Sequence, residues 1–316
     1  MKTLNNKTPK KYTLKFKLSF IALFIATIIF QLFANGLVNA AETANKPSTN
    51  QFTIKVIGQG KPVILIPGLM SDQRVWDGLS KVLTKHYQLH LVNIAGFAET
   101  PATTSPSLLA VKQQLLSYIE NNKLFKPAII GHSLGGFMAM WLASSAPDSV
   151  GAVISIDGLP YIGPIFTQTN ESTVASLATQ AMQINTMYQG MTQQQLSMQS
   201  RYGLSRQATS TEAQNTVMAM IEQSNPATVG EAIFTLLSTD LRQEISKINS
   251  PLLLLGASGG FADSAPQQAA AELYQQQLTA LPQAKLVMNT QSRHFIMLDD
   301  PQWLNAQVSE FLDAAL

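Results

Sequence analysis

Ala128-Ile129-Ile130-Gly131-His132-Ser133-Leu134-Gly135-Gly136 decides how this chain is read. Three wholly apolar residues run into Gly-x-Ser-x-Gly, and an apolar helical stretch, Leu134 to Ala146, follows up to Pro147. A strand that turns directly into a helix around a serine holds that hydroxyl clear of the backbone on a tight, strained bend. Side chains two residues before and two after the serine would collide there, and both positions are glycine, Gly131 and Gly135. The first turn of the following helix favours negative charge that develops nearby. Gly-x-Ser-x-Gly alone is a loose pattern, but its strand–turn–helix setting argues against chance and makes Ser133 a candidate nucleophile.

Working outward, short apolar runs bounded by turn residues recur along the chain. They are Val63-Ile64-Leu65-Ile66 before Pro67-Gly68, Leu89 to Ile94, Ala152 to Ile156, Leu252 to Leu255 and Leu286-Val287-Met288. Such runs fit strands buried on both faces of a parallel sheet. Helical patterns alternate with them. Leu108, Val111, Leu115 and Tyr118/Ile119 recur at helical spacing behind a capping Ser107, and Asp300-Pro301 opens a last helix with an apolar face of Leu304, Val308 and Phe311. The expected fold class is therefore α/β, a mostly parallel sheet with flanking helices, built from residues 52–158 and 251–316.

Residues 159–250 break the rhythm, with no convincing strand and a composition rich in Gln, Met, Ala, Ser and Thr. So long a stretch is not a loop, and it reads as a helical cap inserted over the C-terminal edge of the sheet. Its methionines, among them Met182, Met187, Met191, Met198, Met218 and Met220, read mostly as helix packing, with some expected to line an apolar pocket.

The N-terminus is a separate matter. Lys2, Lys7, Lys10, Lys11, Lys15 and Lys17 precede an almost wholly apolar run from Leu18 to Phe33, and Val38-Asn39-Ala40 places small residues at a cleavage position. That order describes a secretory signal peptide over residues 1–40, with an uncut anchor as the alternative. Residues 41–51, polar and containing Pro47, read as a flexible lead-in. The expected location is exported, periplasmic or secreted, with membrane contact only through the signal. Of 21 basic and 19 acidic groups, six of the basic ones precede Ala41, which leaves 15 against 19, a net −4. The chain's positive balance thus belongs to the leader, and no nucleic-acid partner is indicated. There is no cysteine, so disulfides, thiolate metal sites and a cysteine nucleophile are excluded.

A serine hydroxyl needs a base to become a useful nucleophile. The chain has four histidines. His86 and His90 precede the serine in a helix end and a strand and read as structural; His132 adjoins Ser133 and points away from its hydroxyl on so tight a turn. His294 follows the last strand and precedes the last helix, a loop that lies at the C-terminal edge of such a sheet, and is the candidate base.

With the serine and histidine placed, residues 52–316 resemble the α/β-hydrolase superfamily, in its cap-bearing serine hydrolase subset. The resemblance rests on Gly131 to Gly136, on Arg293-His294-Phe295 followed by Asp299-Asp300-Pro301, and on Ile66-Pro67-Gly68-Leu69, which looks like the family's oxyanion loop. It implies an oxyanion hole of the backbone N–H groups of Leu69 and Leu134. For the third catalytic group the chain departs from the commonest pattern. Where an aspartate usually follows the strand after the cap, the sequence has Ser258-Gly259-Gly260, and the first acid is Asp263. Asp157, after the strand Ala152–Ile156, occupies the place that some relatives, the haloalkane dehalogenases among them, use instead. Asp157 is preferred and Asp263 kept as the alternative; each also has an ordinary reading, as a turn residue and a helix cap. Ser133 in place of an elbow aspartate argues against dehalogenation and epoxide opening. The resemblance implies acyl transfer to water with no metal or organic cofactor, and the low charge of the cap leads us to expect a small or medium apolar carboxylic ester, a small-molecule substrate. Acyl transfer to another acceptor, peracid formation and a catalytically silent binding module remain as alternatives.

Overall fold

The computed structural model describes residues 50–316. The leader expected over 1–40 and nearly all of the lead-in expected over 41–51 lie outside them. Gln51, the end of that lead-in, is buried, and its side chain accepts from Ser107 N at 3.0 Å and donates to the Ser105 carbonyl at 3.1 Å.

Seven strands form one sheet: β1 (Phe52–Gly58), β2 (Lys61–Ile66), β3 (Tyr87–Ile94), β4 (Ala128–His132), β5 (Ala152–Ile156), β6 (Leu252–Ala257) and β7 (Lys285–Asn289). Their order across the sheet is β1-β3-β2-β4-β5-β6-β7. All pairings are parallel except β1 with β3. The six apolar runs of the sequence lie in the six parallel strands. Ile64, Leu65, Ile66, Ile129, Ile130, Val153 and Ile154 are fully buried, each contributing about 1.5–3 kcal/mol. β1 is an edge strand beyond them, with alternating exposed and half-buried residues.

Around the sheet lie α1 (Asp77–Leu83), α2 (Leu108–Asn121), α3 (Leu134–Ser145), α10 (Ser264–Gln277), α11 (Ile296–Asp299) and α12 (Pro301–Ala315). Ser107 Oγ accepts from Ala110 N at 3.3 Å at the start of α2, and Asp300 Oδ1 accepts from Trp303 N at 3.2 Å at the start of α12. The fully buried residues of α12 are Leu304, Val308 and Leu312, while Phe311, expected on the inward face, packs against the core but is only partly buried. α3 is buried nearly all round, as expected of a helix wedged between the sheet and its neighbours.

Between β5 and β6 the chain is helical: α4 (Gly163–Thr167), α5 (Val174–Gln189), α6 (Gln193–Arg201), α7 (Leu204–Gln207), α8 (Thr211–Ile221) and α9 (Pro226–Ser238). Hydrogen bonds tie this block to the core beyond β3, beside His294 and, through Asn170, at α10. Asn225 N donates to the Gly96 carbonyl at 2.7 Å and Ala98 N to Ser224 Oγ at 2.9 Å, beyond β3. Phe295 N donates to the Gln207 carbonyl at 2.9 Å, beside His294. None of the six methionines of the block lines the chamber in front of Ser133: Met182 and Met198 are exposed, Met187 and Met191 are partly buried against the core, and Met218 and Met220 are buried in it.

Candidate active site

Ser133 is the bend between β4 and α3. Its φ of 53° and ψ of −116° are rare for a residue with a side chain and cost on the order of 1–3 kcal/mol, which the surrounding sheet must hold in place. Ser133 N donates to the Ile156 carbonyl at 2.8 Å, clamping the bend to β5. A Cβ at Gly131 would stand 1.9 Å from the Gly135 carbonyl oxygen, and one at Gly135 would stand 2.0 Å from that of Ile66. The paired glycines therefore admit both the bend and the loop after β2. That loop, Pro67-Gly68-Leu69, presses on the serine: a Cβ at Gly68 would lie 3.2 Å from Ser133 Cβ. Leu69 and Leu134, whose backbone N–H groups the resemblance makes oxyanion donors, both line the chamber in front of Ser133. Leu134 is the first residue of α3, where an N–H has no partner within the helix.

His294 faces the same chamber. Its Nδ1–H donates to Asp157 Oδ2 at 2.6 Å, which leaves Nε2 free of the carboxylate. Asp157 sits just past β5 with φ +50° and a side chain only 6% exposed. Its other oxygen, Oδ1, accepts from Ala257 N at 2.8 Å and from Tyr274 OH at 2.7 Å. Burial, with Asp157 beside it, holds the Tyr274 phenol well above its ordinary pKa, so it remains a donor. Asp263 is exposed on the surface and does not line the chamber. Ser258, where the commonest pattern would put the acid, is buried. Neither Tyr274 nor the Ala257 N–H was identified from sequence. Tyr274 lies 117 residues from its partner in a Gln- and Ala-rich helix, and only the fold joins them.

The loop carrying His294 is shaped by side-chain acceptors. Asn289 Oδ1 takes the N–H groups of Gln291 and Ser292 at 2.9 and 2.8 Å. Asp299 Oδ2 takes that of Arg293 at 2.8 Å, and its Oδ1 reaches Thr209 N of the helical block at 2.7 Å. His132 completes the hold. Its Nε2–H donates to the His294 carbonyl at 3.0 Å, and its ring packs 4.6 Å from that of His294. Burial pushes the His132 pKa well below its ordinary value, with neighbouring His294 acting in the same direction. It is a neutral packing and hydrogen-bonding residue. His90 is buried in β3 against Tyr118, and His86 is exposed; neither lines the chamber.

The chamber holds about 160 Å³. Leu134, Phe137 and Leu159 line it from the core, and Val217, Ile221, Ile233 and Leu236 from the helical block. Polar lining comes from the site itself and from Arg206, Gln207 and Arg293. A serine, a histidine and a buried carboxylate thus meet at the C-terminal edge of a parallel sheet, over an apolar space.

Fold and site together define a hydrolase architecture. A family model described as the alpha/beta hydrolase fold matches residues 61–301, and the chain belongs to that family. Among curated proteins it is similar to a pimeloyl-[acyl-carrier protein] methyl ester esterase of Nitrosomonas europaea, 25% identical over 79% of this chain and 94% of that protein. The enzyme of the same name from Vibrio cholerae is 23% identical over 81% of this chain and 96% of its own. Among solved structures, an esterase from Thermogutta terrifontis superposes with a TM-score of 0.68 at 17% identity, covering 84% of this chain and 93% of that one. An enol-lactonase from Burkholderia xenovorans superposes with a TM-score of 0.65 at 18% identity, covering 83% and 96%. At these identities the structural likeness concerns the fold.

Proposed function

We propose that this chain is an exported serine hydrolase that cleaves small to medium apolar carboxylic esters. The observation that carries the reading is the convergence of Ser133 with the His294–Asp157 pair on one apolar chamber. The relatives named as esterases support the ester-hydrolysing class. The lysine-rich and then apolar start of the sequence supports export.

The chemistry follows from the arrangement. Ser133 Oγ attacks the ester carbonyl as His294 Nε2 takes its proton. Asp157 holds the imidazole through Nδ1 and stabilises its charged form. The negative oxygen forms against the N–H groups of Leu69 and Leu134. The alcohol leaves with the proton from His294. Water then attacks the acyl-serine, again giving its proton to His294, and the carboxylic acid is released with Ser133 restored. Tyr274 and Ala257 N fix the far oxygen of Asp157, so the carboxylate presents Oδ2 alone to the histidine.

The test is a panel of p-nitrophenyl esters of rising acyl length, assayed with the protein from Ala41 onward and with Ser133→Ala. The expected result is hydrolysis favouring short and medium chains, lost by at least about a thousandfold in the variant. Hydrolysis that survives in Ser133→Ala would exclude the assignment. N-terminal sequencing of the exported protein is expected to begin at Ala41; a start at Met1 would contradict cleavage there.

A further inference from the structure

The chamber in front of Ser133 has a second cavity behind one of its walls. Ile165, Phe261 and Tyr274 line both spaces. The second, a cleft of about 280 Å³ between α4 and α10, opens to solvent past the exposed Gln168, Thr169, Glu272 and Gln276. Pro164, Ala270 and Leu273 give it apolar surface, and Gln168, Thr169 and Gln276 give it uncharged polar surface. Glu272 is the charged group among its lining residues. The proposed chemistry at Ser133 makes no use of this space.

The three residues of the common wall are held differently. Tyr274 gives its hydroxyl to Asp157 at 2.7 Å, so displacing it would disturb the acid. Ile165 belongs to α4, its N–H on the Ile162 carbonyl at 3.0 Å. Phe261 stands in the loop after β6, where the resemblance would commonly put the catalytic acid. With the acid at Asp157, that loop carries no catalytic group. Its backbone is pinned by Phe261 N to the Ser258 carbonyl at 3.1 Å and by Gln267 Nε2 to the Phe261 carbonyl at 3.0 Å. The ring, 7% exposed, stands between the two spaces.

We propose that Phe261 is the residue that sets the length of the acyl chain this enzyme accepts, and that the cavity behind it is a latent subsite for the far end of a longer, uncharged aliphatic chain. The inference rests on the ester-hydrolase reading of Ser133. A methylene added to a substrate raises kcat/KM about 10- to 200-fold where an apolar pocket receives it, and not where it meets a filled wall. An acyl chain that fills the first chamber ends against the Phe261 ring. The space beyond offers apolar surface and amides but no cation, so it suits a neutral chain end rather than a carboxylate.

The experiment compares kcat/KM for p-nitrophenyl butyrate and p-nitrophenyl dodecanoate in the wild type, Phe261→Ala, Phe261→Val and Phe261→Ala/Ala269→Trp. Ala269 lines the second cavity and not the first. The expected dodecanoate-to-butyrate ratio rises at least about tenfold in Phe261→Ala, rises less in Phe261→Val, and falls back in the double variant, where the indole fills the latent space. A ratio unchanged in both single variants, or one that stays raised in the double variant, overturns the proposal. If Phe261→Ala does not fold, Phe261→Val decides by the same ratio. Failure of the wild type to cleave either ester would instead overturn the ester reading on which the proposal stands.

Discussion

The loops after β5 and β6 end neighbouring parallel strands, yet they have opposite characters. After β5, the chain turns at once through Asp157, in a left-handed conformation, and buries its carboxylate under three donors: His294, Ala257 N and Tyr274. After β6, the loop runs through Ser258-Gly259-Gly260, exposes Asp263 and buries Phe261. A buried carboxylate costs several kcal/mol unless its oxygens are satisfied, and Asp157 is met by donors from the end of β6, from α10 and from the His294 loop. The comparison teaches that the acid's position in the chain is less constrained than its position in space. Asp157 lies 2.6 Å from His294 and has two further donors, and it is the carboxylate we propose as the acid.

The largest expected effect that tests this contrast is on turnover. Asp157→Asn should lower kcat by roughly four orders of magnitude, since the imidazole loses its orienting anion and takes the wrong tautomer. Asp263→Asn should stay within about twofold of wild type, because the side chain is exposed and touches nothing in the chamber. Steady-state kinetics on one chromogenic ester reads both.

Tyr274→Phe sharpens the account of what holds the acid. It removes one of the two hydrogen bonds on Asp157 Oδ1 and should cost roughly 10- to 150-fold in kcat, the range for a bond to a charged group. Steady-state kinetics on the same ester reads the loss, and a kcat within about twofold of wild type would mean that Tyr274 serves only packing.

The smallest effect concerns stability. In the folded chain His132 resists protonation, its pKa lying well below the ordinary 6.5. Below that pH the unfolded chain takes up a proton that the native one refuses. The native state therefore holds its full stability above about pH 6.5 and loses up to about 1.4 kcal/mol per unit as pH falls further. His132→Gln removes this linkage, so its Tm should fall less than that of wild type between pH 7.5 and 5.5. Equal falls in thermal melts would contradict the assignment of His132 as a buried neutral group.

Much of this was legible in the sequence, for physical reasons that also mark the limits. The parallel strands announce themselves because burial on both faces demands unbroken apolar runs such as Val63–Ile66. β1 was not assigned as a strand, since an edge strand half open to solvent alternates Ile54, Lys55 and Val56 and carries a weaker signal. Ser133 and His294 stand out because their chemistry requires a special turn and a loop of known place. Asp157 was reachable from its strand end. Its supporting groups were not, because Tyr274 and Ala257 N meet it only through tertiary packing. The apolar lining of the chamber was not legible: the methionines mark the helical block by composition and mostly pack, while the block's lining positions belong to Val217, Ile221, Ile233 and Leu236.

The central claim is that Ser133 is a nucleophile activated by His294, and it is tested most directly by labelling. The protein from Ala41 onward is treated with a fluorophosphonate and digested, and the modified residue is located by mass spectrometry. The account predicts one adduct, on Ser133, abolished in Ser133→Ala and strongly slowed in His294→Ala. Folded wild-type protein that takes no label, or takes it on another residue, would contradict it.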